Sequence, residues 1–193
     1  RPPAGTILEN STCADSTPTT PLCDNGFAYS TVQGAIDAAA SGNTINVSAG
    51  TYTEQLTINK SLALQGADPA TAIIQLPENL VADTCNPIPL YGAGCASLIG
   101  VAGGTVTIRG FTIQGSLYTS QDAAANRGRI LIHVKGGTVT IDSNLIQGTE
   151  IANQFHISSG AIFMDGGSIT VQNNTFRRFN RYAVLAYAGS SPV

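Results

Sequence analysis

Tryptophan is absent from this chain, methionine occurs once, and charged residues make up only 11% of its 193 positions. With so little charge and a formal net of -3, nucleic acid is excluded as an expected partner, because gripping phosphates needs a basic face. Apolar runs are short throughout, far below the roughly 18 residues that a bilayer-spanning helix requires, so no membrane insertion is expected. The two histidines, His133 and His156, lie far from every cysteine, and no CxxC spacing occurs. No metal site and no cofactor are therefore expected. A chain of this length suits one sizeable domain, and its opening on Arg1 rather than Met reads as a processed or excised chain whose targeting signal has gone.

What is present begins with four cysteines in two close pairs, Cys13 with Cys23 and Cys85 with Cys95, each flanked by Pro, Thr and Gly. Such spacing suits two local disulfides and, with the Thr-rich low-charge composition, an extracellular or cell-surface location. Asn10, Asn46 and Asn173 each open an Asn-x-Ser/Thr site, which matters only in a host that glycosylates them.

Residues 1–26 show no hydrophobic period and read as an extended arm carrying the first cysteine pair. From residue 27 to 193 the chain reads as one domain. "YSTVQGAIDAAASG" predicts a capping helix near 31–40: Ser30 can cap it, Val32, Ile36 and Ala39 or Ala40 share a face, and Gly42 ends it. Beyond that come short bursts of period-two alternation separated by Gly, Asn and Asp turns. One phrase recurs: "GGTVTIRGFTIQG" from Gly103, "GGTVTIDSNLIQG" from Gly136 and "GGSITVQNNTFRR" from Gly166. A repeat at 33 and then 30 residues, with about three strands in each, is the mark of a solenoid. The expected fold is all-β, a right-handed single-stranded parallel β-helix. Val106, Val139 and Ile169 then point inward with Ile108, Ile141 and Val171, while the intervening Thr and Ser face water. The paired glycines make a sharp corner where φ turns positive, and Asn144 and Asn174 form a short ladder.

The stretch "FAYSTVQGAIDAAASGNTINVSAGTYTEQLTINKSLALQGA" resembles the entry of parallel β-helix proteins of the pectin lyase-like superfamily, in which such a helix caps the first coil. The resemblance covers roughly residues 27–189 and implies the fold; the superfamily holds enzymes, adhesins and phage spikes alike. "GTYTE", Gly50 to Glu54, is similar to a pectin methylesterase motif, a family implying one Asp as nucleophile, a second as proton donor and an Arg for the substrate carboxylate. Its Gln-Asp motif has an echo at Gln121 and Asp122. Its Asp-Phe-Val-Phe-Gly motif has none, Asp165 in "IFMDGG" stands in the wrong order, and its Trp-containing segment is absent. Glu54 and Tyr52 therefore read as an exposed structural turn, and the balance leans away from an enzyme.

By alternation His133 falls on the outer surface, with Leu131 and opposite Ile130, Ile132 and Val134. Arg177, Arg178 and Arg181 form a basic corner able to grip an acidic sugar. Thr105, Thr107, Thr138, Thr140, Ser168 and Thr170 form a flat array that resembles ice-binding faces. The last segment, "NRYAVLAYAGSSPV", offers no capping helix, so its edge belongs either to a longer protein or under a neighbour. The expected function is a non-enzymatic structural or adhesive protein assembling head-to-tail with itself into a filament or surface layer, through edge residues Val184, Leu185 and Tyr187 and arm residues Ile7 and Leu8. The alternative is a carbohydrate-binding or polysaccharide-acting domain engaging a cell-surface polysaccharide through Tyr118, Gln121, Asp122 and Arg129.

Overall fold

The computed structural model describes residues 11–14, 28–77, 81, 95–115, 128–148, 159–179 and 182–187. In chain order the elements are β1 (Ser11–Ala14), β2 (Ala28–Tyr29), α1 (Val32–Ala38), β3 (Asn43–Val47), β4 (Gly50–Thr53), β5 (Leu56–Ile58), β6 (Leu62–Gly66), β7 (Ala72–Gln75) and β8 (Cys95–Val101). They continue with β9 (Thr105–Arg109), β10 (Thr112–Gln114), β11 (Gly128–Val134), β12 (Thr138–Asp142), β13 (Leu145–Gln147), β14 (Ser159–Met164), β15 (Ser168–Gln172), β16 (Thr175–Arg177) and β17 (Tyr182–Ala186).

Three parallel sheets run the length of the stack. The first orders its strands β15-β12-β9-β6-β3-β1-β2, the second β16-β13-β10-β7-β4, and the third β17-β14-β11-β8-β5. Each coil thus contributes one strand to each sheet in turn, which makes a parallel β-helix of the expected kind.

Register follows the repeated phrase. Val106, Val139 and Ile169 lie on one row, Ile108, Ile141 and Val171 on the next, and Thr107, Thr140 and Thr170 between them on the outer side. The inner members of β9 and β12 are wholly buried. Each such Val or Ile contributes about 1.5–3 kcal/mol of burial, which one coil cannot obtain without its neighbours. The second glycine of each pair is left-handed, with φ of 86° at Gly104, 84° at Gly137 and 75° at Gly167. A Cβ on Gly137 would meet the carbonyl oxygen of Gly104 one coil below, so both conformation and packing demand glycine there.

Between the first and second sheets the middle turn residue is also left-handed: Gly110, Ser143 and Asn173. The next position carries the ladder. Asn144 Oδ1 accepts from the backbone N–H of Phe111 at 3.1 Å and its Nδ2 donates to the Ile108 carbonyl at 3.0 Å. Asn174 Nδ2 donates to the Ile141 carbonyl at 2.7 Å in the same way. Buried turn backbone that has no strand partner is thereby satisfied.

Three expectations change. The helix cap is Thr31, whose side chain accepts from Gly34 N–H, rather than Ser30, because Thr31 is the residue with extended φ and ψ immediately before the first turn. Within the stretch read as an arm, Ser11–Ala14 forms a strand that pairs with both β2 and β3. Four residues need no hydrophobic period to be held by ladder hydrogen bonds on both sides. In the third sheet, Leu98–Ile99, Leu131–Ile132 and Ala161–Ile162 all enter the main core as consecutive pairs, so strict alternation breaks there.

Candidate functional site

The two ends of the stack differ. At the head, α1 buries Val32, Ala35 and Ile36 against the first coil and is pinned at both termini. The Glu54 carboxylate accepts from the backbone N–H of Val32 at 2.9 Å and of Gln33 at 3.0 Å. Lys60 Nζ donates to the carbonyls of Ile36, Asp37 and Ala39 at 3.0, 3.2 and 3.0 Å. An acid at the first turn and a cation at the last satisfy the groups a helix leaves unpaired. Gln33 Oε1 accepts from Thr57 N–H at 2.8 Å and Nε2 donates to the Thr57 carbonyl at 3.3 Å, so a side-chain amide occupies the edge of β5 as a strand would. Tyr52 is buried, with its hydroxyl 3.1 Å from Ser48 Oγ. Glu54 thus holds the cap and Tyr52 is buried, so they are not the exposed turn the sequence suggests.

The tail is open: among the described residues no strand pairs with the outer edges of β15, β16 and β17. Ile169, Val171 and Phe176 pack against the core but remain partly exposed. Val184 stands on the row of Ile162, Ile132 and Ile99, each fully buried, yet is itself 42% exposed, and Tyr187 is 41% exposed. Apart from Val81, these two are the exposed large apolar side chains among the described residues. Leu185 does not join them. It packs with Tyr182 on the outer face of the third sheet against Ile130 and Phe163.

That outer face also holds His133. The ring is fully buried, with Nε2 3.1 Å from Asp165 Oδ1 and its centroid 5.2 Å from that of Phe163. Its outward direction matches expectation, but its exposure does not, and its companion there is Ile130, not Leu131. The break in alternation at Leu131 and Ile132 is the cause.

Two outward rows of polar side chains run along the stack. On the second sheet Gln114 Nε2 donates to Gln75 Oε1 at 2.8 Å, Gln147 Nε2 to Gln114 Oε1 at 2.6 Å, and Arg177 Nε to Gln147 Oε1 at 2.8 Å. On the first sheet Arg109 Nη2 donates to Gln65 Oε1 at 2.6 Å, and the next rung is Asp142. The Asp142 carboxyl is held below the ordinary carboxylate range by hydrogen bonds from Asn173, Ser143 and Gln172 and by the charge of Arg109, against a smaller opposing effect of burial. The glutamine row passed unnoticed in the sequence, although the recurring "IIQ", "TIQ" and "LIQ" were its signal.

Tyr118, Gln121 and Asp122, the arm contacts Ile7 and Leu8, and Cys23, Cys85, His156 and Arg181 lie outside the described residues. Arg129, Cys13 and Cys95 belong by their backbones to β11, β1 and β8, and their side chains are outside the description. The predicted glycan contacts and disulfides therefore lie outside the described residues. Among the described residues no three His, Cys, Asp or Glu gather around a point where a metal ion would sit, and no helix is long and apolar enough to cross a membrane.

No protein-family model and no curated protein matches this chain. Solved structures do. A pectin methylesterase mutant in complex with a hexasaccharide superposes with a TM-score of 0.50 at 16% identity, covering 86% of this chain and 53% of that one. The pectin methylesterase PemA from Erwinia chrysanthemi does so with a TM-score of 0.48 at 15% identity, over 81% of this chain and 52% of that one. The likeness shows the fold, a right-handed parallel β-helix. This chain spans about half the length of those structures, 52–53%.

Proposed function

We propose that this protein is a non-enzymatic structural or adhesive module of the extracellular space or cell surface, and that its working surface is the open tail of the β-helix, where another polypeptide docks. One observation carries the reading: Val184 continues a row whose other members are fully buried, yet stands 42% exposed. Apolar rows and free strand edges together favour association, since covering them gains burial and backbone hydrogen bonds at once. The sequence supports an extracellular setting through its low charge and its paired cysteines. The tail edges are themselves strands, so the surface that suits them is a strand-bearing chain.

The test is mass in solution with negative-stain electron microscopy as concentration rises, alongside binding of a synthetic peptide of residues 168–179, which copies two strands of one coil. Assembly, or peptide binding that edge substitutions such as Val184→Asp weaken, supports the reading. A chain that stays monomeric and ignores the peptide overturns it. Turnover of pectin or pectate would replace it with a polysaccharide-acting domain.

A further inference from the structure

The glutamine row on the second sheet has a direction. Gln114 and Gln147 each donate an amide N–H toward the head and offer a carbonyl oxygen toward the tail, and Gln75 accepts at the head end of the row. Through three successive coils, Gln75, Gln114 and Gln147 each accept from the rung above. Arg177 ends the pattern. Its Nε takes the place of the amide donor and bonds Gln147 Oε1, but a guanidinium has five N–H groups and no acceptor. Its side chain is exposed, and the bond to Gln147 is that side chain's one hydrogen bond or ion pair among the described residues. A further rung that repeated the glutamine would set its own N–H donor against the donors of Arg177. The rung beyond must supply an acceptor, and the acceptor that suits a guanidinium best is a carboxylate.

The first sheet carries a matching order of residue types, without an ion pair between its Arg and its Asp. On the first sheet Arg109 donates to Gln65 on its head side, as Arg177 does to Gln147. The residue stacked on the tail side of Arg109 is Asp142, which feels its charge. The order Gln, Arg, Asp is thus complete on one sheet and stops at Arg on the other.

Resting on the docking reading above, we propose that the chain seated on the tail is a β-coil strand that carries a carboxylate side chain at the rung directly over Arg177, with an apolar side chain over Phe176. Parallel pairing places that carboxylate about 4.8 Å along the stack, within reach of the guanidinium. The pair sets register and partner choice more than affinity, since exposed ion pairs are worth little each.

The experiment uses the full chain and three synthetic peptides of residues 168–179: the natural sequence, and the same with Arg177→Gln or Arg177→Glu in the peptide. Binding is followed by fluorescence anisotropy at low and high salt. Affinity is expected to rise from the Arg to the Gln to the Glu peptide, about tenfold across the series, and to flatten as salt rises. In the Arg177→Glu protein the order reverses. If no peptide binds, the docking reading itself fails. Peptides that bind equally well, or an order that survives charge reversal of the protein, would leave the edge as a docking surface and remove the carboxylate. Polygalacturonate binding that depends on Arg177 while the peptides show no preference would also overturn it, and would mark the guanidinium as a glycan contact.

Discussion

Asn174 Oδ1 accepts from both nitrogens of Asn144, the backbone N–H at 2.9 Å and the side-chain Nδ2 at 3.1 Å. One coil thereby fixes the turn of the next, and Asn144 passes the constraint on to Phe111 and Ile108. Asn144→Ala would leave buried backbone groups of both residues without partners, at about 1–3 kcal/mol for each orphan. Urea unfolding should show a loss of about 2–4 kcal/mol, larger than for Asn174→Ala on the half-exposed last rung. Equal losses at the two sites would contradict a ladder that depends on burial.

The glycine pairs make a sharper contrast. Gly137→Ala places a Cβ against the Gly104 carbonyl in a residue with φ of 84°, and should cost more than about 2 kcal/mol. Gly103 has no atom within 4 Å of the position a Cβ would take and no left-handed φ, so Gly103→Ala should stay within about 0.5 kcal/mol of the native chain. Thermal melts of the two variants, side by side, decide the matter.

At the head, Glu54→Gln keeps one acceptor but loses the charge that faces two N–H groups of α1. A loss of about 1 kcal/mol is expected, concentrated in the helix. Hydrogen exchange at Val32 and Gln33 should accelerate while the strands of the later coils keep their protection. Unchanged exchange at those two amides would remove the capping role.

Asp142 supplies a pH dependence with a definite sign. Its folded-state pKa lies below the ordinary value, so its contribution is present above about pH 4 and is lost as pH falls through the folded value. The native chain should therefore lose stability on acidification more steeply than Asp142→Asn. Parallel denaturation midpoints for the two proteins between pH 6 and pH 3 would show that the carboxylate is not tuned by Asn173, Ser143, Gln172 and Arg109.

By itself the sequence determined the parallel β-helix, the inward rows of Val and Ile, the glycine corners and the Asn ladder. Stacking places like residue on like, so a repeated phrase is already a register. It also named Val184, Leu185 and Tyr187 at the tail, of which Val184 and Tyr187 are exposed and Leu185 packs on the outer face. Tertiary structure alone decided which side chains close the head, because Glu54, Gln33 and Lys60 act across 21 to 24 residues of chain and no local pattern encodes such pairing. It decided as well that His133, outward as alternation predicts, is buried beside Phe163 and Asp165 of the next coil, while the break at Leu131 and Ile132 re-aims Ile130 and Leu131. The role of Arg177 belongs to the same class. That no described residue offers it an acceptor on the tail side has meaning only once Gln147 is seen directly beneath it, one coil down.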